Sequence, residues 1–216
     1  MNFYEYFYNE KKIFIVMELC DDNLYNILKK KEGGFSIEEI REIILQLNKT
    51  FKIMNENNII HRDLKLENIL VKYINKEKTK YIVKLADYGI SRKLKNLTNK
   101  LTNIGTICTM APEILKNEKY NDKCDLWSLG VIIYLLFFKN YPVHGQTEMA
   151  LLNNIKLFEK KPLNTNNELL DDLLSKLLKS DPKKRITWEQ YFNHPFFKTI
   201  EELKNNKNNK NNCLIM

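Results

Sequence analysis

The stretch "HRDLKLEN" (residues 61–68) places an imidazole, a guanidinium, two carboxylates, an amine and an amide within eight positions. Such groups can accept or donate protons, and carboxylate or amide oxygens suit a hard cation. A further carboxylate stands in "DYG" (87–89). Taken singly, each of these residues is ordinary, because a lone Asp is most often a cap or a surface charge. Thiol and zinc chemistry is not indicated. Cys20, Cys108, Cys124 and Cys213 show no C-x-x-C pairing and no metal-like spacing with the three histidines, so reduced thiols are expected.

Five stretches follow one another along the chain: "HRDLKLEN" (61–68), "DYG" (87–89), "GTICTMAPE" (105–113), "DLWSLG" (125–130) and "DPKKRIT" (181–187). In this order and spacing the chain resembles a eukaryotic-type serine/threonine protein kinase. It matches the H-R-D-L-x-x-x-N, D-F-G and A-P-E set of that family apart from Tyr88 in place of Phe. One tripeptide would be weak evidence, whereas five in register over nearly the whole chain are strong.

The resemblance implies ATP and Mg²⁺ as cofactors and a protein with Ser or Thr acceptors as partner. It makes Asp63 the group that takes the substrate hydroxyl's proton and Lys65 the cation beside the transferring phosphate. Asn68 and Asp87 become Mg²⁺ ligands. "IVMELC" (15–20) is similar to the hinge between kinase lobes. Met17 is then the gatekeeper, the backbones of Glu18 and Cys20 meet the adenine edge, and Leu70 floors the pocket. Glu113 and Arg185 are expected to form a buried ion pair, and Asp125 to brace the catalytic loop. Arg62 is expected to meet a phosphate on Thr102 in a segment resembling an activation loop. Ile107 and Thr109 replace the Pro and Tyr common there, so the resemblance implies no peptide preference at that point.

The residues given contain no G-x-G-x-x-G loop and no V-A-I-K-like lysine. The expectation is a fragment of a longer kinase, with activity far below that of a complete relative. The rival reading is a catalytically inert scaffold or binding module on the same lobe.

The elements that must position these residues can be read from pattern. Residues 3–19 form two aromatic and β-branched runs around "NEKK", which predicts a β-hairpin. "LYNILKKK" predicts a short helix capped by Asp22 or Asn23. Ser36 and Glu39 make a capping box for a long helix over 35–58, with Ile40, Ile43, Ile44, Leu47, Phe51 and Met54 on its buried face. Strand-like pieces follow at 68–71 and 81–87. Residues 88–110 read as a polar loop, and helical patterns cover 124–138, 147–158, 167–179 and 187–193. The expected fold class is α+β, mainly helical: a protein-kinase-like large lobe with a remnant small-lobe hairpin. Residues 1–17 are assigned to that remnant, 18–198 to the hinge and large lobe, and 199–216 to a Lys/Asn tail.

The 216 residues carry a formal net charge of +8 from 35 basic groups, nearly all lysine and spread along the chain. That distribution argues against a nucleic-acid partner. No apolar run reaches the length of a membrane span, and no signal-peptide pattern opens the sequence, so a cytosolic location is expected. "CLIM" (213–216) matches C-a-a-X, with Lys204, Lys207 and Lys210 upstream. This makes Cys213 a candidate prenylation site on the cytosolic face of a membrane, where three lysines supply a modest second signal.

Overall fold

In the computed structural model the described residues are 2–88 and 107–198, with the backbone alone at 92–93. Thr102, Cys213 and the Lys/Asn tail lie outside them.

Where the chain can satisfy helix ends and bury one face, it forms helices. The Ser36 hydroxyl accepts the Glu39 N–H at 3.2 Å, and the Glu39 carboxylate accepts the Ser36 N–H at 2.7 Å. This reciprocal cap starts α2 (Ile37–Glu56), preceded by α1 (Leu24–Lys30), which Asn23 caps. The stretch α2 buries is Ile40, Ile43, Ile44, Leu47, Phe51 and Met54.

The helical body continues with α3 (Pro112–Leu115), α4 (Lys123–Phe138), α5 (Glu148–Phe158), α6 (Glu168–Leu177) and α7 (Trp188–Phe192). Thr147, Asn167 and Thr187 cap α5, α6 and α7 with their side chains. Apolar on nearly every side, α4 is buried along almost its whole length, as a central helix must be. It can approach α6 closely because position 130 is glycine; a Cβ there would stand 2.9 Å from Leu177 Cβ. No helix among the described residues is long and apolar enough to cross a membrane.

The strands are short. β1 (Phe3–Tyr8) and β2 (Ile13–Met17) pair antiparallel, and the Asn9 side chain accepts the N–H groups of Lys11 and Lys12 in their turn. β3 (Asp22–Asn23), β5 (Ile69–Tyr73) and β6 (Tyr81–Leu85) form a second sheet in the order β3-β5-β6. β4 (Ile59–Ile60) pairs with β7 (Arg92–Lys93). Three of these strands have only two residues, too few to show a period. That is why 22–23 reads as a helix cap and 92–93 as loop in the sequence.

The β1–β2 hairpin leaves most of its apolar side chains in solvent, including Phe3, Tyr6, Phe7, Ile13 and Ile15. The core lies lower, between α2, α4, α6 and the β5–β6 sheet. One loop is held against it by a contact that tolerates no side chain. The Phe35 N–H donates to Leu136 O at 2.8 Å, and a Cβ on Gly34 would lie 1.9 Å from Phe137 O. Gly34→Ala is therefore expected to cost about 1–3 kcal/mol, read as a lower urea midpoint. Gly33→Ala meets no atom and is strained only by its φ of +69°, so it should cost about 1 kcal/mol or less.

Candidate active site

Between β4 and β5 the chain turns sharply through residues 61–68, and a carboxylate from another element dictates the path. Asp125 sits in the first turn of α4, 2% exposed. Its two oxygens accept the backbone N–H groups of His61 at 2.7 Å and Arg62 at 2.9 Å. Arg62 adopts a φ of +69°, a left-handed conformation unfavourable for a side-chain-bearing residue and held here by those two bonds. Burial pushes the Asp125 carboxyl up to about 6, against the lowering effect of the two N–H donors.

His61 is fully buried and staples the turn to β6. Its Nδ1 accepts the Asp63 N–H at 3.3 Å, so the ring proton resides on Nε2 and is donated to Ala86 O at 3.0 Å. Burial holds its pKa below the usual range, which keeps the ring neutral. The Tyr88 ring packs 5.2 Å from it. Asp87 is exposed at the end of β6 with a φ of +60°, a second left-handed residue beside the first.

Asp63 is 7% exposed. Its Oδ2 accepts from Lys65 Nζ at 2.7 Å and from Asn68 Nδ2 at 3.0 Å. Asn68 Nδ2 also donates to Asp63 O at 2.8 Å. Both amide hydrogens thus point to Asp63, and Asn68 Oδ1 accepts from no donor among the described residues. Asp63 Oδ1 is buried and likewise without a partner among them. One carboxylate oxygen is held by two donors, and the other is buried without a partner among the described residues.

The hinge-like residues are tied to the β5–β6 sheet by charge. Glu18 pairs with Lys84 at 2.6 Å and Lys72 at 3.2 Å, and it accepts the Asn2 N–H at 3.2 Å. Hydrogen bonds from Lys84, Asn2 and Lys72, in that order, bring its carboxyl down to about 2. Lys72 also donates to Leu19 O. Leu70 and Lys84 are cross-strand partners. Leu70 is half-buried and Met17 is 46% exposed. The Glu18 N–H donates to Asn2 O, while neither Glu18 C=O nor Cys20 N–H meets a partner among the described residues. Nothing in the spacing of Lys72 and Lys84 marks them as partners of Glu18, since strand pairing alone brings them together.

Arg62 Nη1 donates to Tyr120 OH at 3.1 Å, and its Nε is buried without a partner among the described residues. Thr102 lies outside those residues. Farther down, Glu113 on α3 meets Arg185 in a two-pronged ion pair at 2.6 and 2.9 Å, with both side chains almost fully buried. Two further Arg185 donors reach Lys179 O and Lys123 O, so four of the five N–H groups of the buried guanidinium have acceptors. Ser128 Oγ donates to Thr109 O at 2.7 Å and ties the end of the 87–113 segment to α4.

Residues 1–197 match the family model of the protein kinase domain, and the chain belongs to that family. It is 34% identical over 197 residues to serine/threonine-protein kinase 33 of Bos taurus, covering 87% of this chain and 40% of that protein. It is likewise 34% identical to serine/threonine-protein kinase ATG1b and to serine/threonine-protein kinase TIO, both of Arabidopsis thaliana. Those matches cover 86% and 91% of this chain but 26% and 14% of the relatives. The chain therefore spans less than half the length of these relatives.

Removing the brace should be costly. Asp125→Ala leaves two buried N–H groups without acceptors and is expected to lose about 2–5 kcal/mol of unfolding free energy. The carboxyl's folded pKa is raised, so its contribution is fully present below the unfolded value near 3.8 and is lost as pH rises through about 6. The stability difference between wild type and Asp125→Asn should therefore narrow between pH 4 and pH 7, by an amount on the order of 1–3 kcal/mol. A constant difference across that range, measured by denaturant titration, contradicts the assignment.

Proposed function

We propose that this chain carries the phosphoryl-transfer centre of a serine/threonine protein kinase, using ATP and Mg²⁺ and acting on Ser or Thr hydroxyls of proteins. The observation that carries this reading is the asymmetry at Asp63: one oxygen held by Lys65 and Asn68, the other buried with no donor among the described residues. That oxygen is suited to accept the substrate hydroxyl's proton while the hydroxyl oxygen bonds to the γ-phosphorus. The bond from phosphorus to the bridging oxygen breaks, and ADP leaves with the electron pair. Lys65, hydrogen-bonded to Asp63, adds positive charge where the phosphoryl group passes.

The residues present fit the cofactors. Asn68 Oδ1 and the exposed Asp87 carboxylate offer two oxygen ligands. That suits Mg²⁺, which is held by one or two protein oxygens with phosphates and water completing its shell. When bound, the ion neutralises charge on the phosphates. Glu18 C=O and Cys20 N–H supply an acceptor and a donor side by side for the adenine edge.

The rival reading is a binding module that transfers no phosphate, and one assay separates the two. The protein, given γ-labelled ATP, MgCl₂ and Ser/Thr peptide substrates, is expected to label Ser or Thr. Asp63→Ala should lower the rate by roughly 10²–10⁴-fold. Wild type no faster than Asp63→Ala overturns the phosphoryl-transfer reading for these 216 residues. Prenylation of Cys213 with residence at a cytosolic membrane face is a further proposal, supported by "CLIM" and the lysines before it. Cys213→Ser should then shift the protein from the membrane pellet to the supernatant, and an unchanged distribution removes this part.

A further inference from the structure

The β5–β6 sheet has two faces, and strand alternation sorts its residues between them. Ile69, Val71, Val83 and Leu85 turn inward and are buried in the core. Leu70, Lys72 and Lys84 share the outer face, with Leu70 and Lys84 directly opposite each other across the strands. Residues 18–21 are fastened to this sheet. The buried Glu18 carboxylate accepts from Lys84 Nζ at 2.6 and 2.8 Å and meets Lys72 Nζ at 3.2 Å. Lys72 Nζ also donates to Leu19 O at 3.3 Å. Asp21 is joined twice to β5: its N–H donates to Val71 O at 2.9 Å, and its carboxylate accepts the Tyr73 N–H at 2.8 Å. Between these ties, Glu18 C=O and Cys20 N–H meet no partner among the described residues.

We infer that Lys84, with Lys72 beside it, is a positioning residue for an adenine base and acts through Glu18. The inference deepens the kinase reading and rests on it for the identity of the ligand. Leu70 as a pocket floor and the backbone of Glu18 and Cys20 as a pocket edge can serve one planar base only at a fixed separation. Lys84 sets that separation, because its strand partner is Leu70 and its ion-pair partner is Glu18. Without Lys84, the Glu18 carboxylate keeps only Lys72 and the Asn2 N–H, and residues 18–20 sample other placements. A ligand that needs one placement then binds more weakly, in proportion to the fraction of molecules that hold it.

Adenosine and MgADP, titrated separately into the full chain and followed by calorimetry, test the inference. Lys84→Met should raise both dissociation constants by about three- to tenfold, as when the competent placement falls to roughly a tenth to a third. Lys72→Met removes a longer contact from a side chain 39% exposed, against 17% for Lys84, and should raise both by about twofold. Lys84→Arg keeps a cation on the carboxylate and should stay within about twofold of wild type. Glu18→Gln should weaken both ligands, and adding Lys84→Met to it should weaken them little further, because the two changes remove one interaction. Without ligand, hydrogen–deuterium exchange in Lys84→Met should quicken at residues 18–21 and stay unchanged at residues 40–54 of α2. Weaker MgADP binding with adenosine binding unaffected overturns the inference, because the lysines would then act on phosphate charge. So does a Lys84→Met protein that binds both ligands as wild type does, or a wild type that binds no adenosine. Adenosine binding weakened by Lys84→Met, in a protein that labels no Ser or Thr, upholds the inference and removes phosphoryl transfer instead.

Discussion

The geometry of the candidate site depends on one buried carboxylate holding two backbone N–H groups. Asp125 is carried on α4, the most deeply buried helix, so its position is set by the core rather than by the loop it restrains. Two consecutive N–H groups can converge on one carboxylate only if the chain kinks between them, and Arg62 in the left-handed region is that kink. The carboxyl group loses solvation by being there, which is why its pKa rises although two donors face it. Kink and brace are thus one feature: either without the other leaves a strained residue or an unsatisfied buried charge.

From that brace the order spreads outward through hydrogen-bonded side chains. His61 closes the distance to Ala86, and through it the turn is joined to the strand that ends at Asp87. Asn68 spends both amide hydrogens on Asp63 and thereby presents its oxygen elsewhere. Asp87, also left-handed, is placed at the end of a strand rather than inside it. Two non-glycine residues with positive φ so close together mark a region whose backbone is set by surrounding contacts, not by local preference.

The Glu113–Arg185 pair works at longer range. It links α3 to the turn before α7 across 72 residues, with α4 joined through Lys123, whose amine reaches Pro182 O and Arg185 O. A buried ion pair adds little net stability over apolar packing, but its bidentate geometry admits only one relative placement of the segments. Buried Glu18 and its two more exposed lysines perform a similar task for the hinge-like residues, and the more exposed Lys72 contact is the one most sensitive to salt.

Much of the helical architecture was legible in the sequence, since caps and periodicity are local properties. The Ser36–Glu39 box and the apolar spacing over 40–54 place α2 without reference to any other part of the chain. The two-residue strands were not legible: Asp22–Asn23 and Arg92–Lys93 pair only because tertiary packing brings an edge beside them. The clustering of Asp63, Lys65 and Asn68 was visible because eight residues cannot place them far apart. Their hydrogen bonds were not, and neither was the unequal treatment of the two Asp63 oxygens, which depends on rotamers. Tyr120 as the partner of Arg62, and Lys72 and Lys84 as partners of Glu18, join residues distant in sequence. The sequence by itself determined which groups exist, their local order and the helices able to form, because these follow from interactions within a few residues. Only the tertiary structure decided which polar groups meet and which are left without a partner, because that depends on burial and on contacts across tens of residues.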